Sequence, residues 1–239
     1  MSRSAAPQLL LGLGFRKEYT FDNFVSVGSA NAVERLKIAV FETEEPFVYL
    51  VGIEDSGKTH LSIALLNAAL QQGKRAYYLS ARDVLAVASA EELGDYFEYF
   101  HTYDLLILDD VDAFEANAGY EQALFNLYNH FRDAGQQLVV SAREVPAHTG
   151  FCLPDLRSRL AAGLTIKVDE LSDDDKKSAL VARAAERGMI LNTEVLNYIY
   201  ARSSRSLGAL LDVLDKLDHA QLVEKRSLTV PFVKKVLNW

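Results

Sequence analysis

Apolar positions along this chain fall into a repeating order. A short β-branched and aromatic run is followed by a stretch with apolar residues three and four apart. Phe47-Val48-Tyr49-Leu50-Val51 is the first such run and reads as a buried strand. Residues 59–72 follow as an amphipathic helix with Leu61, Leu65 and Ala68 along one face and Gly73 to stop it. Residues 75–80 read as a second strand, and 83–93 as a helix with Asp83 a candidate cap. The run 103–108 is a third strand, nearly all apolar and so covered on both faces. A helix over 120–134 ends at Gly135, and 137–141 is the fourth strand. A linker of mixed charge around 154–160, with a short helix at Ser158-Arg159-Leu160, leads to a fifth strand over 164–168. A further helix near 31–41 precedes the first strand. This alternation means a parallel sheet with right-handed crossovers, and ligands at the carboxyl ends of its strands.

From Ser172 the pattern turns wholly helical. Asp173, Asp174 and Asp175 charge the first turn of a helix over 173–187, with Gly188 after it. A second helix spans 193–202. A third runs over 206–224, its apolar face carried by Leu207, Leu211, Leu214 and Leu217. Thr229 caps a short last helix with Pro231 in its first turn. The change near Leu171 sets the expected boundaries: a tail over 1–18, an α/β nucleotide domain over 19–170 and a small helical domain over 171–239. The tail is apolar where tails are usually polar, at Gln8-Leu9-Leu10-Leu11-Gly12-Leu13. Two readings stand. Either these leucines tuck onto the body of the domain, or Gln8, Leu9, Leu11 and Leu13 dock as a linear peptide on another protein.

Chemistry concentrates at the strand tips. Gly52-Ile53-Glu54-Asp55-Ser56-Gly57-Lys58-Thr59 is a complete G-x-x-x-x-G-K-[ST] loop between a strand and a helix. Its glycines let backbone N–H groups curl around phosphates, and the helix adds its positive end. Lys58 is placed for the β- and γ-phosphates and Thr59 for Mg²⁺. Ser56 and His60 belong to the same cradle. The third strand ends in Asp109-Asp110, two acids able to order Mg²⁺ and a water, with Asp109 the magnesium partner and Asp110 the water-positioning residue. Ser141 closes the fourth strand, where it either senses a γ-phosphate or begins a turn.

Composition narrows the field. Among 239 residues, 49% are hydrophobic and 24% charged, enough for a sizeable core. The net charge of −8 argues against wrapping nucleic acid over a wide surface. Cys152 is the one cysteine, which excludes an internal disulfide framework and fits a reducing cytoplasm. No apolar run approaches the ~20 residues that span a bilayer, so no membrane role is expected. The N-terminal stretch is too short and weakly charged for a secretory signal.

The stretches Tyr19-Thr20-Phe21-Asp22-Asn23-Phe24-Val25, the phosphate loop, Asp109-Asp110, Ser158-Arg159-Leu160 and Ser203-Ser204-Arg205-Ser206-Leu207 come in a telling order. Over about residues 19–224 the chain resembles AAA+ ATPases of the DnaA replication-initiator type. Residues 8–13 are similar to the Gln-Leu-x-Leu-x-Leu peptide by which proteins dock on the DNA-sliding clamp, and no helix-turn-helix domain follows the helical region. This resemblance implies a five-stranded parallel sheet of order 5-1-4-3-2 and a small all-helical lid. It implies a regulator that holds ADP or ATP with Mg²⁺, reaches DNA through the clamp, and stimulates hydrolysis of ATP on the DnaA initiator, so preventing re-initiation. It assigns Gly52, Gly57, Lys58 and Thr59 to the Walker A loop and Asp109 and Asp110 to Walker B. Ser141 falls at sensor 1, Arg205 at sensor 2, and Arg159 at the arginine finger; Phe24 and Val25 lie near the adenine. Asp-Asp in place of Asp-Glu implies weak intrinsic hydrolysis. Asp155, where initiators tend to carry another arginine, weakens the case for long homo-oligomers. Two other readings share the fold: a helicase loader that binds single-stranded DNA, and a nucleotide-binding adaptor without effect on another ATPase.

Overall fold

β1 (Phe47–Val51), β2 (Ala76–Ser80), β3 (Leu105–Asp109), β4 (Gln137–Ala142) and β5 (Leu164–Lys167) form one sheet. All pairings are parallel, in the order β2-β3-β4-β1-β5. That is the expected 5-1-4-3-2 order read from the other edge. The computed structural model describes residues 19–24, 30–204 and 206–239. These divide into two compact units, one of residues up to 169 and one of 170–239.

In the first unit, strand side chains alternate between two separate cores, as a pleated backbone requires. Phe47, Tyr49, Val51, Leu106, Leu108, Leu138 and Val140 face one side. There they meet α3 (Ala81–Leu85), α4 (Leu93–Glu98), α5 (Ala118–Asp133) and α6 (Pro154–Ala162). Val48, Leu50, Leu105, Ile107, Val139 and Ile166 face the other side, against α1 (Ala30–Lys37) and α2 (Lys58–Gln71). β1, β3 and β4 are buried along their whole length, which is why residues 47–51, 105–108 and 138–140 read as unbroken apolar runs.

Four expectations are corrected. The helix expected over 83–93 is broken into α3 and α4. Ser89 and Glu92 exchange side-chain and backbone hydrogen bonds at the break, an alternative to the helical ladder. Asp83 lies in the first turn of α3 and the cap position belongs to Ser80. The short helix expected at Ser158-Arg159-Leu160 is longer and takes in the expected linker: α6 starts at Pro154. The helix expected near 31–41 ends as an α-helix at Lys37 and continues as a π-turn over Ile38–Glu42.

The second unit packs α7 (Asp173–Glu186), α8 (Thr193–Arg202), α9 (Leu207–Glu224) and α10 (Val230–Leu237) around its own core. Ser172 and Asp175 close a capping box on α7, Asn192 caps α8, Ser206 caps α9 and Thr229 caps α10. On α9, Leu214 and Leu217 are buried as expected, but Leu207 and Leu211 are only half-buried. Leu210 and Val213 complete the inward face.

Candidate nucleotide-binding site

β1 delivers the chain to Gly52, whose N–H donates to Ala142 O at 3.2 Å. The loop then turns through left-handed backbone at Asp55 and at Gly57, whose φ is +99°. A side chain at Gly57 would meet Phe24 Cε2 at 2.7 Å, so space and conformation both require glycine there. No side chain caps the start of α2, which follows directly. Its first N–H groups and its dipole are therefore uncommitted to a side-chain acceptor. Lys58 is buried, and its Nζ donates to Gly52 O at 2.6 Å and Ile53 O at 2.8 Å. Burial lowers its pKa, opposed by Asp109, Asp110 and Asp112. The Ser56 hydroxyl is buried and has no hydrogen-bond partner among the described residues. An orphaned donor inside a glycine turn, beside a lysine and a free helix end, fits a phosphate group.

Asp109 is the hub of the strand tips and is almost wholly buried. Thr59 Oγ1 donates to its Oδ2 at 2.6 Å, Tyr78 OH to the same oxygen at 2.9 Å, and Ser141 Oγ to its Oδ1. Burial raises the Asp109 pKa, and the Ser141 and Thr59 donors work against that rise. Burial and the facing carboxylate push the Tyr78 phenol far above its ordinary value. Register explains the gathering: Ser80 of β2 pairs with Asp109, and Leu108 of β3 with Val140. Ser141 is an internal residue of β4 rather than the start of a turn, and its Oγ also accepts from Asp110 N at 3.0 Å. Asp110 departs in the other direction. Its φ is +58°, and its Oδ2 accepts from Arg82 Nε at 3.0 Å.

Among the described residues no three His, Cys, Asp or Glu side chains form a metal cage. One hydroxyl and one carboxylate, Thr59 and Asp109, are a donor set suited to Mg²⁺ completed by phosphates and water. The segment before the loop is fastened to α2. Asn67 Nδ2 donates to Tyr19 O at 2.9 Å, and His60 Nε2 lies 2.9 Å from Thr20 O. The His60 ring stacks on Tyr19 at 4.6 Å and meets the edge of Phe24 at 5.2 Å. His60 thus holds Phe24 against the loop.

Residues 15–167 match the family of bacterial DnaA ATPase domains, and residues 173–237 match the lid domain of Hda. The chain belongs to the DnaA ATPase family. Its two parts together make it an Hda-like, DnaA-homologous AAA+ protein. An uncharacterized protein of Haemophilus influenzae is 34% identical over 234 residues, 97% of this chain and 98% of that one. Domain III of the Thermotoga maritima DnaA shares the fold with a TM-score of 0.77 at 24% identity, over 93% of this chain and 96% of that one. The AMPPCP-bound DnaA of Aquifex aeolicus matches with a TM-score of 0.67 at 24% identity, over 88% of this chain and 68% of that one.

On this DnaA-type domain the remaining candidates separate. Arg159 is exposed on α6 and forms no ion pair among the described residues. Asp155 is exposed in the first turn of the same helix. Val25, Arg205, Gln8, Leu9, Leu11 and Leu13 lie outside the described residues. Sequence reasoning missed Tyr78, Arg82, Asn67 and the pair of Arg143 Nε with Asp112 Oδ2 at 2.7 Å. Only Tyr78 left a signal, as a polar-tipped residue in an expected strand.

Proposed function

We propose that this protein regulates chromosomal replication initiation by acting on the nucleotide of the DnaA initiator. In this reading it holds an adenine nucleotide, ADP in its working form, between Phe24 and the 52–59 loop. Ser56, Lys58 and the start of α2 hold the phosphates; Thr59 and Asp109 hold Mg²⁺, which neutralises phosphate charge. The AMPPCP in the Aquifex aeolicus DnaA of the same fold supports an adenine nucleotide here. Residues 8–13 dock on the DNA-loaded sliding clamp. Arg159 then reaches the ATP of a DnaA neighbour and neutralises charge building on the transferred phosphoryl.

The observation that carries this reading is the contrast between the two sets of charged groups. The acids of the chain's own site are engaged within it, Asp109 by three hydroxyls and Asp110 by Arg82. Arg159 stands exposed on a separate helix. A site that holds its own water-positioning acid on an arginine favours slow turnover, and an exposed arginine favours action on a partner. The test is hydrolysis of DnaA-bound ATP in a reconstituted mixture. The chain should accelerate it only when clamp loaded on DNA is present. Acceleration that ignores the clamp removes the docking step, and no acceleration under any condition leaves the adaptor reading.

A further inference from the structure

α6 is a poor helix by its own resources. It has nine residues, of which only Leu156 and Leu160 are buried. A helix so short is marginal unless tertiary contacts hold it. Its N-terminal flanking residue is Leu153, which offers no side-chain cap. A cap arrives from elsewhere. Glu121, in the first turn of α5, is completely buried. Its Oε1 accepts from Cys152 N at 3.0 Å and its Oε2 from Leu153 N at 2.7 Å. Both carboxylate oxygens are thus spent on two successive amides leading into α6, and the negative group lies at the positive end of that helix. A buried carboxylate is costly unless fully bonded, so its location is tightly determined.

The connection that leads into α6 is fastened at further points. Arg143 pairs with Asp112 at 2.7 Å, and Tyr49 OH donates to Glu144 O at 2.8 Å. Gly150 passes so close to Glu115 that an added Cβ would lie 2.5 Å from Glu115 Oε2. Two leucines on one face leave a helix free to slide and roll. A two-pronged carboxylate at its end removes that freedom, and Arg159, exposed three residues after Leu156, borders the leucine face.

We propose that Glu121 is a positioning residue that aims Arg159. This rests on the reading that Arg159 acts on a partner's nucleotide. Glu121 touches neither nucleotide; it sets where α6 begins and how it is rotated. A guanidinium displaced by about 1 Å loses most of its effect on a transition state, on the order of 10²-fold in rate.

The experiment uses the full chain with DnaA, ATP, clamp and DNA, and varies Glu121→Gln, Glu121→Asp, Arg159→Ala and the double variant Glu121→Gln with Arg159→Ala. Glu121→Gln should lower the maximal stimulated rate by about 10–10²-fold. The concentration giving half-maximal stimulation and the chain's own ADP affinity should stay at wild-type values. Glu121→Asp, which keeps the charge on a shorter arm, should fall between. The double variant should be no worse than Arg159→Ala alone, because one acts through the other. Amide exchange at Cys152 and Leu153 should quicken in Glu121→Gln while the strands keep their protection. Quicker exchange there with undiminished stimulation overturns the positioning role and leaves the in-trans role standing. Loss of ADP affinity in parallel with stimulation, or an additive double variant, also overturns it by showing general damage. Wild-type stimulation by Arg159→Ala removes the in-trans role itself, and the proposal with it.

Discussion

Thr59 donates its hydroxyl to Asp109 at 2.6 Å, joining the phosphate-loop helix to the tip of β3. Tyr78 donates to the same carboxylate oxygen at 2.9 Å from the neighbouring strand. Sheet register therefore brings Thr59, Tyr78 and Asp109 together. Tyr78→Phe removes one donor without changing the volume of the core. With a hydrogen bond to a charged group worth about 1.5–3 kcal/mol, the unfolding free energy should fall by that amount, read as a lower urea midpoint with an unchanged slope. An unaltered midpoint would mean that Asp109 gains nothing from Tyr78.

Lys58→Ala removes the one cation inside the loop. Tight ADP and ATP binding should disappear. Nucleotide at a hundred times its dissociation constant should no longer add about 2.7 kcal/mol to the wild-type stability, because that linked gain needs binding. Without nucleotide the variant should lose about 1–3 kcal/mol, for the buried Gly52 carbonyl left without its donor. Calorimetry that finds wild-type ADP affinity contradicts the assignment of the loop.

The His101 ring stacks on that of His130, 3.4 Å apart and 11° from parallel, and its lowered pKa should make stability depend on pH. Burial lowers the His101 pKa, the His130 charge lowers it further, and Glu98 opposes both. The folded value lies below the unfolded one of about 6.5, so the unfolded chain binds more protons on acidification. The stability contributed by His101 should be complete above about pH 6.5 and fall as pH drops through its lowered folded value. His101→Gln should flatten that part of the profile in denaturant melts. A profile unchanged by the substitution would place the pH dependence elsewhere.

How much of this was readable beforehand follows from where each contact comes from. The 52–59 loop is a local pattern, and Asp109 ends an apolar run, so both stand out in the chain. The alternation of strand and helix carries the sheet, and its order agrees with the resemblance to DnaA-type proteins. Tyr78, Arg82 and Glu121 act on residues 28 to 32 positions away, brought near by strand register and by the α5–α6 packing. No local periodicity marks them. The start of α6 reads as a linker, and only Ser158-Arg159-Leu160 as helix, because Leu156 and Leu160 are its only buried positions among charges. The amides leading into it are bonded by a carboxylate from α5 that the segment itself does not contain.

The tail makes a separate prediction. Burying Leu11 and Leu13 on the clamp offers about 1.5–3 kcal/mol each before the cost of ordering a free segment, so a single site should bind in the micromolar range. Gln8→Ala, or Leu11→Ala with Leu13→Ala, should abolish capture by purified clamp while ADP binding stays intact. Normal capture by the double variant would assign those leucines to the body of the domain.

The in-trans role of Arg159 is tested most directly by single-turnover hydrolysis of labelled ATP on DnaA, with clamp and DNA present. Wild-type protein should raise the rate by about 10³–10⁵-fold where its guanidinium meets the transferred phosphoryl. Arg159→Ala should lose that acceleration while keeping ADP binding and the melting temperature. Arg159→Lys should recover little of it, because a point charge lacks the forked donors. Acceleration by Arg159→Ala equal to that of the wild type would contradict the role assigned to this arginine.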